Sequence, residues 1–273
     1  MKTCIFQLYA PMVSWGEIAV GGTRRSAIQP SRSAILGLLA AALGIKRESE
    51  EKLAELANSL SIAIRIDASG TLLTDYQTIQ VPKKEKKVSY LTRKEEMDAP
   101  SAKIGTILSS REYRCDAYSL VAIYSRSDRW TLEKIVESLR HPKFHVYLGR
   151  KSAAPALPLA PRIVEANDML QAFEIASRDS FHWPLPLDED AHEWKVASYE
   201  AYAKNTFQQN ERQKITRRYY WEDGITSGID PLVKTTPYDE PISRDRWQFK
   251  MRNEYMAVQV VEPNSGEGDN DVL

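Results

Sequence analysis

The sequence predicts an α+β fold of the ferredoxin-like type, in which helices cover one face of an antiparallel sheet. Two observations carry this prediction. Apolar runs and helical segments follow one another in the order strand, helix, strand, strand, helix, strand, which is the split βαβ arrangement. At 273 residues the chain is also long enough to bury a good core, and it corresponds to roughly one to two domains.

The first half of this pattern is an opening strand, two helices and a second strand. Residues 3–8 are predicted as the strand, and residues 33–43 as a helix that is apolar nearly all round and stops at Gly44. A polar helix near residues 49–59 precedes a short strand at 62–66.

The second half repeats the pattern. We expect a strand at residues 118–124, a helix at 131–139 and a closing strand at 144–148. RNA-recognition modules use this architecture, but so do many proteins with unrelated functions, so the fold alone does not assign a role.

A long connection, residues 76–114, separates the second and third strands. Ordered domains rarely carry a connection of this length without a purpose. It is either a basic hairpin that wraps a ligand or a loop whose charges keep it solvated. Its lysines include Lys83, Lys84, Lys86 and Lys87.

The patterning weakens beyond residue 160. A helix is predicted at residues 166–176, a Pro-rich acidic linker at 180–192 and a final strand at 255–261. Residues 200–220 mix aromatic side chains with Arg212, Lys214, Arg217 and Arg218.

These patterns divide the chain into three parts. Residues 1–160 form the ferredoxin-like domain, with an insertion at about 76–114, and residues 161–261 form a smaller C-terminal region. Residues 262–273 are acidic and rich in Gly and Ser, which is typical of a disordered tail.

The charge distribution points to a local rather than a global anion site. The 37 Lys and Arg residues balance 37 Asp and Glu residues, so the molecule lacks an overall basic field. The first 47 residues, however, hold six basic residues and one acidic residue. A partner of high negative charge would therefore have to bind at one part of the surface.

Cysteine use and hydropathy predict a cytoplasmic protein that does not enter a membrane. Cys4 and Cys115 both lie in apolar strand-like runs, which favours reduced core thiols over a disulfide framework. The longest apolar run, residues 34–45, is too short to span a bilayer, and no charged-then-apolar leader opens the chain.

The segment from Gly21 to Ser33 combines basic side chains with a helix start. The sequence Gly21-Gly22-Thr23-Arg24-Arg25-Ser26 is a turn, and Ser31, Arg32 and Ser33 open the apolar helix. Free N–H groups and the positive end of the helix dipole favour an anion there. The spacing matches neither a P-loop nor a dinucleotide fingerprint. A hairpin turn with solvated charges is the alternative.

Two further segments pair arginines with Gly or Tyr. The turn at residues 147–152 contains Tyr147, Gly149, Arg150, Lys151 and Ser152, a composition suited to phosphate contact. A second group, Arg111, Tyr113 and Arg114, can pair with phosphate and stack on a base. Tyr113 and Trp15 are equally compatible with core packing.

Catalytic and metal-binding patterns are weak. The four histidines lack Cys or carboxylate neighbours at metal-ligand spacing, so we expect neither a metal nor another cofactor. His145, Tyr147 and Lys151 are close enough in sequence to act as acid and base in a metal-free ribonuclease, but nothing else marks them as a constellation.

Several of these segments together resemble one family. They are Leu8-Tyr-Ala-Pro-Met-Val-Ser-Trp-Gly16, Gly22-Thr-Arg24, residues 30–39 and 43–45, Asp75-Tyr-Gln-Thr78, residues 111–117 and 147–152 and, more weakly, Asp239-Glu-Pro241. The sequence is similar there to the CasD family, the handle-binding subunits of type I-E CRISPR Cascade. Residues 167–238 are largely unmatched.

The resemblance implies a fold and a set of partners. It implies a ferredoxin-like RAMP body with a thumb at residues 76–108, which grips the 5′ handle of the guide RNA (crRNA) and caps one end of the complex. Residues 30–39 would be the phosphate-facing helix start, and residues 147–152 the glycine-rich loop near the handle. The implied neighbours are a backbone subunit on the thumb side and the large subunit, with target DNA reached indirectly through the complex.

We therefore predict a non-catalytic RNA-binding scaffold in the prokaryotic cytoplasm, without a cofactor. Two alternatives stay open: an endoribonuclease that processes CRISPR repeat RNA without a metal, and a protein-interaction module without direct RNA contact. The residues predicted to contact RNA are Trp15, Gly22, Arg24, Arg25, Ser31, Arg32, Ser33, Lys83, Lys84, Lys86, Lys87, Arg111, Tyr113, Arg114, Tyr147, Gly149, Arg150, Lys151 and Ser152.

Overall fold

A computed structural model describes residues 1–19, 21–82, 89–98, 104–178, 215–243 and 246–261. Within those residues the strands are β1 (Lys2–Val13), β2 (Thr23–Arg24), β3 (Leu60–Ala68), β4 (Thr71–Pro82), β5 (Ile104–Ser125), β6 (Arg162–Glu165), β7 (Ile215–Glu222), β8 (Val233–Thr235), β9 (Glu240–Ser243), β10 (Gln248–Lys250) and β11 (Glu254–Val261). The helices are α1 (Arg32–Leu43), α2 (Glu50–Ser59), α3 (Arg93–Asp98), α4 (Leu132–Arg140) and α5 (Met169–Arg178).

One large sheet organises the described residues. Its strand order is β6-β1-β5-β3-β7-β11-β8, and β2 and β4 also pair with β5. The pairings are antiparallel except for the short β2–β5 pair, and β9 and β10 form a separate hairpin. The predicted combination of helices with an antiparallel sheet is confirmed at this level.

The sheet is covered on both faces because its central strands are apolar on both sides. On β1, Phe6 and Leu8 pack into one cluster with α1, α2 and α4, whereas Ile5 packs into a second cluster with α5. Side chains of a strand alternate between the faces, so continuous apolar runs fit strands buried on both sides. Helix α1 contacts α2, α4 and β9, which explains why nearly all of its sides are apolar.

Local signals placed the four predicted helices. Helix α1 begins after Ser31, whose Oγ accepts a hydrogen bond from the N–H of Ala34, and ends at Gly44 in the left-handed conformation. Helix α2 follows Ser49, and α4 follows Thr131, whose side chain accepts from the N–H of Lys134. The helix predicted at residues 166–176 is present as α5.

The strand predicted at residues 144–148 is wrong. The N–H groups of Lys143 and Phe144 donate instead to Ala42 O and Ala41 O, at 3.0 and 3.1 Å, which are carbonyls of the last turn of α1. These amides therefore close the end of a helix and do not pair in the sheet. The strand beside β1 is β6, with Lys2 opposite Glu165 and Ile5 opposite Arg162.

The long connection at residues 76–114 is largely a hairpin. Strands β4 and β5 pair continuously from Thr71 opposite Cys115 to Pro82 opposite Ile104, and α3 lies between them in sequence. This pairing agrees with the hairpin alternative and not with a solvated loop. Lys83, Lys84, Lys86 and Lys87 lie outside the described residues.

Strands beyond residue 160 extend the same sheet. Strand β7 lies between β3 and β11, with Ile64 opposite Tyr220 and Tyr220 opposite Met256. The predicted final strand is present as β11. Arg217 and Arg218 lie on β7, whereas Arg212, Lys214, the 180–192 linker and the acidic tail lie outside the described residues.

Candidate nucleic-acid interface

The turn at residues 21–26 lies directly beside β5. Its short strand β2 runs parallel to β5, with Arg24 opposite Arg111, and the N–H of Ser110 donates to Gly22 O at 3.0 Å. A Cβ atom at Gly22 would lie 2.5 Å from the carbonyl oxygen of Leu108, so the approach depends on glycine. Two exposed arginines, Arg24 and Arg111, therefore lie on neighbouring strands.

The turn at residues 147–152 packs against the end of β1. The N–H of Ser14 donates to Leu148 O at 3.2 Å, and the turn is closed by Leu148 N–H to Ala153 O at 2.8 Å. Gly149 has φ +90°, and a Cβ there would lie 1.7 Å from the carbonyl oxygen of Ser14. Only glycine allows this contact.

A cation–aromatic contact joins that turn to β5. The guanidinium carbon of Arg150 lies 4.6 Å from the centroid of the Tyr113 ring. Tyr113 is two residues from Arg111, and residues at this spacing in a strand share a face. The three basic segments that the sequence singled out thus meet beside the end of β1.

Three polar residues that the sequence analysis did not single out hold these segments together. The backbone N–H of Ser26 donates to Glu112 Oε2 at 3.1 Å, and Ser14 Oγ donates to the carbonyl oxygen of Glu112 at 3.1 Å. Ser26 Oγ also accepts from the N–H of Trp15 at 3.0 Å. Glu112 could have been noticed in the sequence, because it is the one acidic residue between Arg111 and Arg114.

We call this region the basic surface, and define it by Arg24, Arg25, Arg111, Tyr113, Arg114, Tyr147, Arg150 and Lys151. Arg24, Arg25, Arg111, Tyr147 and Lys151 are exposed, as are Gly22, Gly149 and Ser152. Tyr113, Arg114 and Arg150 are half-buried.

Two guanidinium groups of the basic surface have spare donors. Among the described residues, Arg114 Nε and Arg150 Nη1 are buried without a hydrogen-bond acceptor. A buried donor left unsatisfied costs free energy, and the cost is larger for a charged group. Both nitrogens are out of reach of solvent in this conformation, so an anion at the surface would first meet the exposed cations Arg25, Arg111 and Lys151.

Trp15 does not belong to the surface. Its side chain is 4% exposed and packs in the core cluster on the α1 side of the sheet. A base can stack only on an aromatic face that is open to it, so the predicted stacking role of Trp15 is corrected to core packing.

Arg32 is also corrected. It is 5% exposed, and its guanidinium pairs with Glu222 at 2.6 Å and with Glu240, and donates to the carbonyl oxygens of Ala57 and Leu60. These partners occupy its donors inside the protein. Arg32 therefore fastens α1 and the end of α2 to the C-terminal strands.

The start of α1 already holds an anion of its own chain. The N–H of Arg32 donates to Asp239 Oδ2 at 2.7 Å, and Arg252 Nε lies 2.7 Å from Asp239 Oδ1. Ser31 Oγ caps Ala34 and lies 3.0 Å from Ser33 Oγ. The helix start attracts negative charge as predicted, but a carboxylate fills it, which contradicts the phosphate-facing role of Ser31, Arg32 and Ser33.

Burial shifts the pKa values of this internal network. It raises the pKa of Glu222 and of Glu254, although Arg32 and Arg252 act in the opposite direction. Burial also disfavours the charged form of Arg252, but Asp239 and Glu254 outweigh it and raise the pKa of that guanidinium. The network joins segments of the chain to one another and is not an open binding site.

The described part of the chain has neither a metal-binding cluster nor a helix that could span a membrane. No group of three or more His, Cys, Asp and Glu side chains there is placed to hold a metal ion. None of the described helices combines the length and apolar character that crossing a membrane requires.

Comparisons with known proteins agree with this fold. A family model described as CRISPR-associated protein (Cas_Cas5) matches residues 3–258. The CRISPR system Cascade subunit CasD of Escherichia coli (strain K12) is 32% identical over 177 residues, which cover 62% of this chain and 74% of that protein.

Two solved structures resemble the whole chain. A chain of a CRISPR RNA-guided surveillance complex has a TM-score of 0.58 and 25% identity, and the match covers 96% of this chain and 92% of that one. A second structure, titled crystal structure of Cas protein, has a TM-score of 0.50 and 21% identity over 96% and 95% of the two chains, and it shows the fold alone. Because the family model spans nearly the whole sequence, this chain belongs to the CRISPR-associated protein (Cas_Cas5) family and is CasD-like, as its motifs predicted.

Proposed function

We propose that this protein is a non-catalytic subunit of a cytoplasmic CRISPR Cascade complex and binds the 5′ handle of crRNA with its basic surface. One observation carries the proposal. Three segments distant in sequence, at residues 21–26, 111–114 and 147–152, meet at one place and present their cations together.

The chemistry of the basic surface suits a single RNA strand. Arginine donates paired hydrogen bonds to phosphate oxygens, and Arg25 and Arg111 are exposed and can donate them. Tyr147 is 40% exposed, so one of its faces can stack on an unpaired base. Positioning of a backbone by arginine and glycine, without a helix that reads bases, fits a complex in which base pairing reads the sequence.

The rest of the fold suits a capping subunit. The strand order β6-β1-β5-β3 is the order that a ferredoxin-like RAMP domain requires, which supports that finer assignment. The β4–β5 hairpin would be the thumb. It exposes Leu72, Leu73, Tyr76, Ile107 and Leu108, which suits contact with a backbone subunit. The large subunit would be a second neighbour, and target DNA would be reached indirectly through the complex.

The test is handle binding by matched charge variants. Arg111→Gln combined with Arg150→Gln should weaken binding of the handle RNA at least tenfold. It should also reduce the slope of log affinity against log salt by about 1.4, since each phosphate contact to a single strand contributes about 0.7. Arg129→Gln removes one charge from an exposed arginine paired with Glu55, and should change neither quantity.

The same preparation separates the alternatives. Site-specific cleavage of repeat RNA without a divalent metal would replace the scaffold with an endoribonuclease, and His145→Ala and Tyr147→Phe would then be examined for loss of cleavage. Unchanged affinity and salt slope in the double variant, together with loss of association with the other Cascade subunits, would favour the protein-interaction module.

A further inference from the structure

The β9–β10 hairpin displays a tryptophan in an unusual backbone conformation. Trp247 is 64% exposed and has φ +52°, in the left-handed region that large side chains rarely adopt. Hairpin positions of this kind are normally occupied by Gly or Asn. Because the indole covers so little of the core, packing does not compensate for this strain, and strain of this kind is concentrated at functional sites.

The indole is held in place from two sides. The guanidinium carbon of Arg47, in the segment after α1, lies 4.8 Å from the centroid of the Trp247 ring. The Phe249 ring lies 6.4 Å away at an interplanar angle of 40°. The hairpin itself is fastened to α2, because Ser243 Oγ donates to Glu50 Oε1 at 2.6 Å and accepts from the N–H of Arg246 at 3.2 Å.

Exposed cations adjoin this aromatic pair in the sequence. Arg47 follows the exposed Lys46, and Arg246 and Lys250 flank Trp247 on the hairpin. Glu48 is the exposed acid of the same α1–α2 segment, and Glu50 is engaged by Ser243. Residues 46–50 and 246–250 together therefore carry four cations against two carboxylates. We call Lys46, Arg47, Arg246, Trp247 and Lys250 the Trp247 platform.

We propose that the Trp247 platform is a second binding site for single-stranded nucleic acid. An exposed indole with an arginine over it stacks on any base, and neighbouring lysines and arginines hold the backbone phosphates. This arrangement favours a polynucleotide over a protein segment, since it pairs one stacking surface with several cations. The platform shares no residue with the basic surface.

Photocrosslinking to the full chain tests the proposal directly. We would use 12-nucleotide strands carrying 5-iodouridine, as RNA and as DNA, and map the adducts by mass spectrometry. We expect adducts on Trp247. Comparing the RNA strand with the DNA strand shows which of the two nucleic acids the platform prefers. Adducts on Tyr113 or Tyr147 report on the basic surface separately, so failure of one site does not imply failure of the other. Adducts confined to the basic surface would overturn the proposal.

The decisive variant is Trp247→Gly. Glycine relieves the left-handed strain, so the thermal midpoint should not fall, whereas oligonucleotide affinity should fall about tenfold, the contribution of one stacked base. The measurement belongs in the Arg111→Gln/Arg150→Gln background, where the basic surface no longer dominates binding. Tyr238→Ala removes another exposed aromatic side chain, 49% exposed, and serves as the control that leaves affinity unchanged.

Two lysine variants test the proposal independently of the tryptophan. Lys250→Gln should weaken binding and lower its salt dependence, whereas Lys234→Gln, which removes a lysine lying over Tyr255, should do neither. Unchanged affinity in both Trp247→Gly and Lys250→Gln would overturn the proposal. So would a Trp247→Gly chain that keeps its oligonucleotide affinity but no longer joins its partner subunits, because the platform would then be a protein contact.

Discussion

The guanidinium of Arg150 lies over the ring of Tyr113, at 4.6 Å from its centroid, and this contact joins two segments that are 37 residues apart in the chain. It places a cation whose Nη1 lacks an acceptor among the described residues beside a strand that carries Arg111. The Tyr113 ring both attracts the Arg150 guanidinium and fixes its orientation. A planar guanidinium can stack flat on a ring, whereas an ammonium cannot.

Arg150→Lys separates the orientation of this side chain from its charge. We expect handle affinity to fall several-fold while the salt slope stays the same, since the phosphate charge is still neutralised but the stacked, planar donor is lost. Fluorescence anisotropy across a salt series measures both quantities. Lys151→Arg, which also keeps its charge, is the matched control. A salt slope that changed as much as in Arg150→Gln would contradict an orienting role.

Gly149→Ala should destabilise the protein. The new Cβ would overlap the carbonyl oxygen of Ser14 at 1.7 Å, and alanine at φ +90° is strained, so the turn must move away from β1. We expect a loss of about 1–3 kcal/mol in the free energy of unfolding, measured by urea denaturation, and weaker handle binding. Gly16→Ala adds a methyl where nothing lies within 4 Å, and should be close to neutral.

Arg32→Met tests the internal role of this arginine. It leaves the half-buried Glu240 without this partner and Glu222 with only the more distant Arg252, which should cost about 3–5 kcal/mol of stability. Arg93→Gln breaks an exposed pair with Glu96 and should cost less than about 1 kcal/mol. Handle affinity per folded molecule should stay unchanged in Arg32→Met. A smaller slope of log affinity against log salt in the folded fraction would instead show that Arg32 contacts the RNA.

Cys4 predicts a loss of stability at alkaline pH. Burial raises the pKa of its thiol from 9.0 to about 12. A pKa raised in the folded state gives stability that is complete below pH 9 and is lost as pH rises towards 12, because the unfolded chain releases the proton first. The stability difference between the wild type and Cys4→Ala should therefore narrow by about 1.4 kcal/mol per pH unit above pH 9. Urea unfolding at pH 8, 9.5 and 10.5 measures it, and a constant difference would contradict the burial of the thiol.

Helix positions were predictable because their signals are local. Ser31, Thr131 and Gly44 lie within one turn of the helix ends that they define, so spacing along the chain was sufficient. The strand at residues 144–148 failed for the opposite reason. Its composition suits a strand, but its first amides are taken by Ala41 and Ala42 of α1, about 100 residues earlier in the chain.

The sequence by itself determined four helices, the central apolar strands and the three basic segments, because periodicity, caps and charge are properties of neighbouring residues. Tertiary structure alone decided which arginines face outwards. Arg32 and Arg24 are both preceded by turn residues, yet Arg32 meets Glu222, and the helix start beside it meets Asp239, 207 positions later. A buried cation needs a distant partner, and only the folded chain brings that partner to it.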